Sequence, residues 1–171
     1  MSGDPGTPRA ERPFMPDYGV DTADWTALPW EWASERLVPG RSYWVVSASA
    51  DGRPHALPVW GVWDPGERRF GFSCGPRSRK ARNLAANPRV VVTADGTVEC
   101  VSVEGTAAPV TAPDRQEWWI ERYLAKYRPL SEELSADFIR ANLIVEVTPE
   151  RAFGVIDREG EFSTRATRWV F

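Results

Sequence analysis

Three tight-turn signals lie between segments of alternating hydrophobicity, and they constrain the fold more than any other feature of the sequence. Asp51-Gly52 and Asp95-Gly96 are typical of two-residue hairpin turns, and the DPGE stretch at 64–67 also reverses the chain. Strands that are joined by such short connections run antiparallel. The sequence therefore predicts an antiparallel sheet.

Six strands are predicted. They cover Ser42–Ala50, Arg53–Trp63, Arg68–Cys74, Arg89–Ala94, Thr97–Val110 and Leu143–Val147, with an extension of the last to Ile156. Gly105 inside the long fifth strand predicts a bulge or bend. Long, bent antiparallel strands favour closure into a small barrel, so we predict a mainly β fold: a six-stranded antiparallel barrel with peripheral helices. The residues from Thr164 to Phe171 are expected to be extended.

Short helices are predicted at four places: Leu28–Leu37, Arg79–Ala86, Asp114–Tyr127 and Ser131–Arg140. Asp114 and Glu117 have the spacing of a capping box. No strand–helix–strand unit with a glycine-rich turn is present, which argues against a Rossmann fold.

The chain is predicted to form one domain, 21–171, preceded by a flexible or surface-draped arm, 1–20. A length of 171 residues with 42% hydrophobic residues suits a single core. The net charge of −3 gives no indication of a nucleic-acid partner. No apolar run is long enough to span a bilayer, and the first 16 residues do not resemble a signal peptide, so we expect a cytoplasmic protein without a membrane partner. With His55 as the single histidine, no metal site is expected.

The strongest chemical signal is a cationic turn at the start of the predicted Arg79–Ala86 helix. Ser78 can cap this helix, while the other first-turn N–H groups stay free and the helix dipole adds positive character. Four basic side chains crowd the same place, namely Arg77, Arg79, Lys80 and Arg82. A bound phosphate would relieve their mutual repulsion. The alternative is a solvated basic loop whose arginines pair with surface carboxylates.

The strand that contains Pro58 and Trp60 has features that suit a flat ligand. Pro58 removes a backbone donor, so the strand must be at an edge or bulged there. Pro58 and Gly61 leave space for a ring to approach the backbone. Trp60 and Trp63 are three residues apart, so a regular strand points them to opposite faces. Ordinary packing is the alternative for both, and it is favoured for Trp63.

Nine tryptophans are many for a chain of this length. Because tryptophan is enriched in interfaces, and a monomer would struggle to bury all nine, we predict a homodimer. The alternative is a lid of tryptophans over a hydrophobic substrate.

The stretch from Ser42 to Thr106 resembles the pyridoxamine 5′-phosphate oxidase-like, or flavin/deazaflavin, split-barrel superfamily. The matching segments are PHALPVWGVWD, FGFSCGPRSRKARNLAANPRVVV and VSVEGTA. The resemblance implies a six-stranded split β-barrel of the FMN-binding type. It also implies a homodimer with its cofactors in clefts between the subunits.

The resemblance also implies a set of site residues. Arg79 and Lys80 match the pair that grips the cofactor phosphate, Ser73 and Cys74 match a strand end that touches the cofactor, and the 58–60 stretch matches the strand along the ring. Together with the cationic turn, the predicted cofactor-binding residues are Pro58, Val59, Trp60, Ser73, Cys74, Arg77, Ser78, Arg79, Lys80 and Asn83.

The expected function is hydride transfer between coenzyme F420, or FMN as second choice, and a small, planar, hydrophobic substrate. Pro58 replaces an arginine that holds the phosphate in the true oxidase, and the C-terminal signature that grips pyridoxal phosphate is missing. We therefore do not expect vitamin B6 oxidation. No catalytic residue is assigned, although Tyr43, Ser73 and His55 are candidates for proton delivery. The alternatives are a non-catalytic flavin or heme carrier, with His55 as axial ligand, and an interaction protein with an empty cleft.

Overall fold

The structure is a computed structural model that describes residues 6–20 and 23–171. The strands are β1 (Arg9–Glu11), β2 (Tyr43–Ala48), β3 (Pro54–Val59), β4 (Gly61–Asp64), β5 (Arg69–Cys74), β6 (Arg89–Ala94), β7 (Glu99–Pro109), β8 (Leu143–Ile156) and β9 (Thr167–Val170). The helices are α1 (Trp30–Leu37), α2 (Arg79–Ala86), α3 (Pro113–Tyr127), α4 (Ala136–Arg140) and α5 (Glu161–Arg165). The predicted mainly β fold with peripheral helices is confirmed.

Six segments of chain close the barrel. The strands β3, β2, β6, β7 and β8 are neighbours in that order, and β8 also pairs with β5, which pairs with β4. All of these pairs are antiparallel. The ring closes along the chain, because β3 and β4 are separated only by Trp60. The predicted second strand is thus one bent strand, and the predicted six-stranded barrel is confirmed.

Two strands lie outside the six predicted ones. The C-terminal β9 pairs with the outer half of β8, within the segment that was expected to be extended. Strand β1 pairs with β9 and comes from the predicted N-terminal arm, so residues 9–11 are held in the sheet rather than draped or flexible. Residues 1–5 of the arm, and residues 21–22 at the predicted domain start, lie outside the described residues.

The predicted bend at Gly105 is confirmed. The register between β7 and β8 shifts between Glu104 and Gly105. A Cβ atom at Gly105 would lie 2.2 Å from the carbonyl oxygen of Thr148, a distance that no side chain tolerates. Glycine therefore allows the two strands to approach closely where the barrel curves.

The predicted capping box at the start of α3 is wrong. The helix begins at Pro113, and Ala112 precedes it without a side-chain hydrogen bond. Proline suits this first position because its missing N–H would have had no partner there. Contacts with the barrel fix the helix instead: Arg122 Nε donates to Asp64 at 2.9 Å, and Trp119 Nε1 donates to Glu146 at 2.7 Å.

Apolar side chains form two clusters. The first fills the barrel and includes Tyr43, Val45, Phe70, Phe72, Val92, Val103 and Val147. The second lies between α3, α4 and the β4–β5–β8 side and includes Val62, Trp119, Ile120, Tyr127, Ile139 and Ile144. In the described ranges no helix is long and apolar enough to cross a membrane, and no group of three or more potential metal ligands occurs.

Candidate functional site

The cationic turn joins β5 to α2 in the geometry that the sequence predicted. The Ser78 hydroxyl accepts a hydrogen bond from Ala81 N at 3.1 Å and caps the helix. The backbone N–H of Ser78 is itself bonded to Gly75 O, which closes the turn. Neither Arg79 N nor Lys80 N has a partner within the described chain, as expected for the first turn of a helix.

Lys80 is the most unusual side chain of this turn. Its exposed fraction is 5%, and its Nζ atom has no hydrogen-bond partner among the described residues. Burial lowers the pKa of Lys80 because it removes water from the ammonium group. A buried ammonium without a partner is costly to the fold, which marks the place where an anion would be stabilised.

Cys74 and Ser78 share the surroundings of Lys80. Burial raises the pKa of the Cys74 thiol, whereas a hydrogen bond with Ser78 and the charge of Lys80 act in the opposite direction. Cys74 is thus a protonated, partly buried thiol at neutral pH. The strand end of β5 and the start of α2 bring together three of the predicted residues.

The arginines of the turn lie on its outer side, and none is used to hold the fold together through an ion pair. In the described parts of the chain, Arg77, Arg79 and Arg82 have no carboxylate partner. Arg82 Nη1 donates to the carbonyl of Arg77 at 2.8 Å, which directs the guanidinium back over the turn. The alternative of a basic loop neutralised by its own carboxylates is not observed.

The arginines of α2 face the β2–β3 hairpin across an open cleft of about 360 Å³, which we call the Arg53 cleft. Its walls are Ser49, Asp51, Arg53, Pro54, His55, Arg79, Arg82 and Asn83. Asn83 is 4% exposed, and its Nδ2 atom donates to Ser47 Oγ at 3.0 Å. The predicted ligand Asn83 therefore fastens α2 to β2 and contributes only to the wall of the cleft.

Arg53 and Leu57 were missed by the sequence analysis. Cross-strand partners share one face of a sheet, and β2 pairs Val45 with Leu57 and Ser47 with His55. Because side chains alternate, Arg53, His55, Leu57 and Val59 all lie on that one face of β3. The face is basic near the turn and apolar farther along. The alternation after Asp51-Gly52 was the signal that could have grouped these residues.

Pro58 and Trp60 have different surroundings. Pro58 is exposed on β3, which lies at the end of the sheet path, as predicted for a strand that contains proline. The Trp60 indole stacks on Tyr127 with ring centroids 4.6 Å apart and an interplanar angle of 1°. The Trp60 carbonyl accepts a hydrogen bond from Tyr123 Oη at 3.2 Å. Trp60 is thus packed against α3, while Trp63 is buried in the barrel beside Trp30, as favoured above.

Ser73 lies at the end of β5, on the side of the site that contains Trp60. The register pairs Gly61 with Phe72, so Ser73 lies opposite Trp60 one residue beyond the last pair. Burial raises the pKa of Tyr123 to about 12, and the Ser73 side chain acts on it in the opposite direction. Ser73 and Cys74 point to opposite faces, and only Cys74 contacts the cationic turn.

One of the three candidates for proton delivery, Tyr43, lies in the core of the barrel. Tyr43 is fully buried, and its hydroxyl donates to the carbonyl of Leu37. Lys126 Nζ donates to Tyr43 Oη at 2.7 Å and to Gly61 O at 2.9 Å. The Tyr43 hydroxyl is therefore already engaged in hydrogen bonds within the fold. Burial raises the pKa of Tyr43 far above its ordinary value. Tyr43 as a proton donor is therefore wrong, while His55 lines the Arg53 cleft and Ser73 lies beside Tyr123.

Comparisons with known proteins identify relatives of this architecture. A 25% identical structure is named an F420 reductase (TM-score 0.55, 73% of this chain and 98% of that chain covered). A conserved hypothetical protein from Mycobacterium tuberculosis is 20% identical (TM-score 0.60, 87% and 88% covered). General Stress Protein 26 from Bacillus anthracis is 16% identical (TM-score 0.57, 75% and 94% covered). No curated protein matches the chain.

The sequence itself matches the model of one protein family. That family is described as pyridoxamine 5′-phosphate oxidase, and the match runs over residues 35–155. The matched range contains the cationic turn, helix α3 and the whole barrel apart from the last residue of β8. The chain therefore belongs to the pyridoxamine 5′-phosphate oxidase family, within the flavin and deazaflavin split-barrel superfamily.

Proposed function

We propose that the protein is an oxidoreductase that binds coenzyme F420, with FMN as the second choice, and transfers a hydride to or from a small planar substrate. The observation that carries this proposal is the buried Lys80 ammonium, which has no partner in the described chain and lies beside the capped turn of α2. An anionic cofactor tail is the kind of group that would complete it. The 25% identical F420 reductase supports the choice of the deazaflavin.

The residues of β3 and β5 would hold and orient such a cofactor. Lys80, the Arg79 guanidinium and the free first-turn N–H groups would bind the phosphate. Leu57 is 49% exposed and shares with Val59 the face of β3 on which a ring would rest. A bound deazaflavin or flavin supplies the hydride chemistry, and the protein supplies binding, orientation and the exclusion of water.

A homodimer is part of the proposal. One chain buries Trp30, Trp63, Trp119 and Trp169 to at most 5% exposure, but Trp25, Trp32, Trp60 and Trp118 stay half-buried, so a single chain does not bury all nine tryptophans. Trp44 is the most exposed of them: it is 47% exposed and pairs with the exposed Pro58 on the outer face of the barrel. With Leu57 exposed on the other face, β3 has one side for a cofactor and one for a partner subunit.

Titration of the apo protein with F420 and with FMN tests the proposal. We expect binding of at least one of them, and a 10- to 100-fold weaker affinity in Lys80→Met, since a hydrogen bond to a charged group contributes about 1.5–3 kcal/mol. The apo variant should be at least as thermally stable as the wild type, because methionine removes an unpartnered buried charge. An unchanged affinity in Lys80→Met would show that the phosphate binds elsewhere.

Turnover separates the enzyme from the carrier. We expect reduced cofactor bound to the wild type to be reoxidised by an organic acceptor faster than free cofactor is. A protein that binds the cofactor tightly without accelerating this reaction would be the non-catalytic carrier.

A further inference from the structure

His55 is the single histidine of the chain, and no group of the fold holds its ring. The Nδ1 atom is buried and has no hydrogen-bond partner among residues 6–20 and 23–171. The Nε2 atom has no partner within these ranges either, and the ring lines the Arg53 cleft. A hydrogen bond to one ring nitrogen normally fixes which nitrogen of a histidine carries a proton. Without such a bond, the charge of His55 is free to respond to a ligand.

Most of the charged groups that line the cleft with His55 are basic. Arg53 lies on the same face of β3, and Arg79 and Arg82 line the cleft from α2. In the described parts of the chain, none of these three arginines has a carboxylate partner. Nearby positive charges disfavour the protonated form of an imidazole.

The other polar walls of the cleft do not offset these arginines. Asp51 is the one carboxylate that lines it, and it accepts a hydrogen bond from the Ser49 hydroxyl, which is the largest of the effects that lower the pKa of Asp51. From β2, Ser47 lies opposite His55 in the strand register. The Ser47 Oγ atom accepts a hydrogen bond from Asn83 Nδ2 at 3.0 Å, and neither side chain is charged. Three arginines and one carboxylate therefore leave the surroundings of His55 net positive.

An anion in the cleft would reverse this balance. An opposite charge within about 4–6 Å of a titrating group favours its charged form by roughly 1–3 pH units. The protonated ring would in turn offer the anion a positive charge and a further N–H donor. Binding of the anion and binding of the proton would then favour each other by the same free energy.

We infer that His55 is a proton-coupled ligand of the cofactor's anionic tail, so that binding of the tail is accompanied by uptake of a proton on the imidazole. The inference rests on the proposed function, because it concerns the site that contains Arg79 and Lys80. His55 supplies a charge that depends on pH, which the arginines cannot do, because a guanidinium stays charged throughout this range. Since the bound state holds more protons, the affinity for the cofactor increases as the pH falls from 8 to 6.

NMR spectroscopy of the full chain tests this coupling directly, because one histidine gives one Cε1–H resonance. Saturation with FMN, or with F420 if only F420 binds, should move the midpoint of its titration upward by about one pH unit. Inorganic phosphate should move the midpoint in the same direction. If neither cofactor binds, the proposed function fails, while phosphate still decides whether His55 is a proton-coupled anion ligand. A midpoint that phosphate leaves unchanged would overturn the inference.

The variant His55→Gln provides the second test, because glutamine keeps hydrogen-bonding groups but does not titrate. We expect its dissociation constant for the same cofactor to exceed that of wild type about fivefold at pH 6 and to be nearly equal at pH 8, as linkage to a change of about one pH unit requires. The ionisation of the cofactor phosphate and of Lys80 occurs in both proteins and cancels in this ratio.

The matched control is Leu57→Ala, two residues along the same face of β3. This variant loses apolar contact with the cofactor but no titrating group, so its affinity should fall by a similar factor at both pH values. A ratio for His55→Gln that stays constant between pH 6 and pH 8 would show that the imidazole does not change charge on binding, and the inference would be wrong.

Discussion

Lys80 and Lys126 are the only lysines of the chain, and their surroundings are opposite. Lys126 donates to Tyr43 Oη and to Gly61 O, and its Nζ lies 4.7 Å from the centroid of the Tyr43 ring. These contacts offset part of the cost of burying its charge. Lys80 has no such partners, so its burial is stabilised by nothing within the described chain. The contrast separates a structural lysine from one that suits a ligand.

The burial of Lys126 leads to a prediction about how the free energy of unfolding depends on pH. Burial lowers its pKa to about 8, whereas an unfolded lysine keeps an ordinary value near 10.5. Between these values the unfolded state binds more protons, so a rise in pH stabilises the folded state through this group. We expect the free energy of unfolding of wild type, relative to Lys126→Met, to increase between pH 8 and pH 10.

Urea denaturation of both proteins at pH 7, 8, 9 and 10 measures this difference. Other titrating groups, including Lys80 and the thiol of Cys74, are present in both proteins and cancel in the comparison. A constant difference across the range would contradict the prediction.

The bent second strand is the element that organises the site. Its break at Trp60 is held by α3, because Tyr127 Oη accepts from Gly61 N at 2.8 Å and its ring stacks on Trp60. The break ends β3, where a cofactor ring is proposed to rest, and begins β4, which packs into the barrel. Helix α3 therefore fixes the end of β3, along which the cofactor ring is proposed to lie, but contributes no residue to the cationic turn.

The bulge between β7 and β8 leads to a prediction about the stability of this strand pair. Gly105→Ala places a Cβ atom against the backbone of Thr148, which cannot rotate away, so we expect a loss of about 1–3 kcal/mol in the free energy of unfolding. The control is Gly75→Ala, where a Cβ atom meets nothing within 4 Å and the effect should stay within about 0.5 kcal/mol. Equal stability of the two variants in urea denaturation would show that the strands at the bulge separate easily.

The outer face of the barrel gives a prediction for the whole molecule. If a second copy covers Trp44, then Trp44→Glu introduces a charge into the interface and should raise the dimer dissociation constant roughly 30-fold or more. Sedimentation equilibrium over a range of concentrations measures it. The control is Phe138→Glu on α4, which is also exposed and should leave the dimer intact. Dissociation by Phe138→Glu alone would place the interface at α4.

Much of the architecture was predictable from local sequence. The hairpin turns, the alternation of Tyr43, Val45 and Ser47, and the glycine at the bulge each reflect backbone and side-chain geometry within a few residues. Strand β1 was not predictable, because Arg9–Glu11 is a short polar segment whose pairing depends on the free edge of β9, about 160 residues away. The cap of α3 was misassigned for a local reason, because Pro113 occupies the first helical position and Ala112, which has no capping side chain, precedes it.

The sequence by itself determined that four cations surround the start of α2 and that a proline-bearing strand precedes them. Only the tertiary structure decided that Lys80 is buried without a partner among residues 6–20 and 23–171, that Arg53 and Arg82 line one cleft, and that Trp60 stacks on α3. The physical reason is that hydrogen-bond partners and burial depend on groups from distant segments. A sequence pattern shows which charges are present, but only packing shows which of them remain uncompensated.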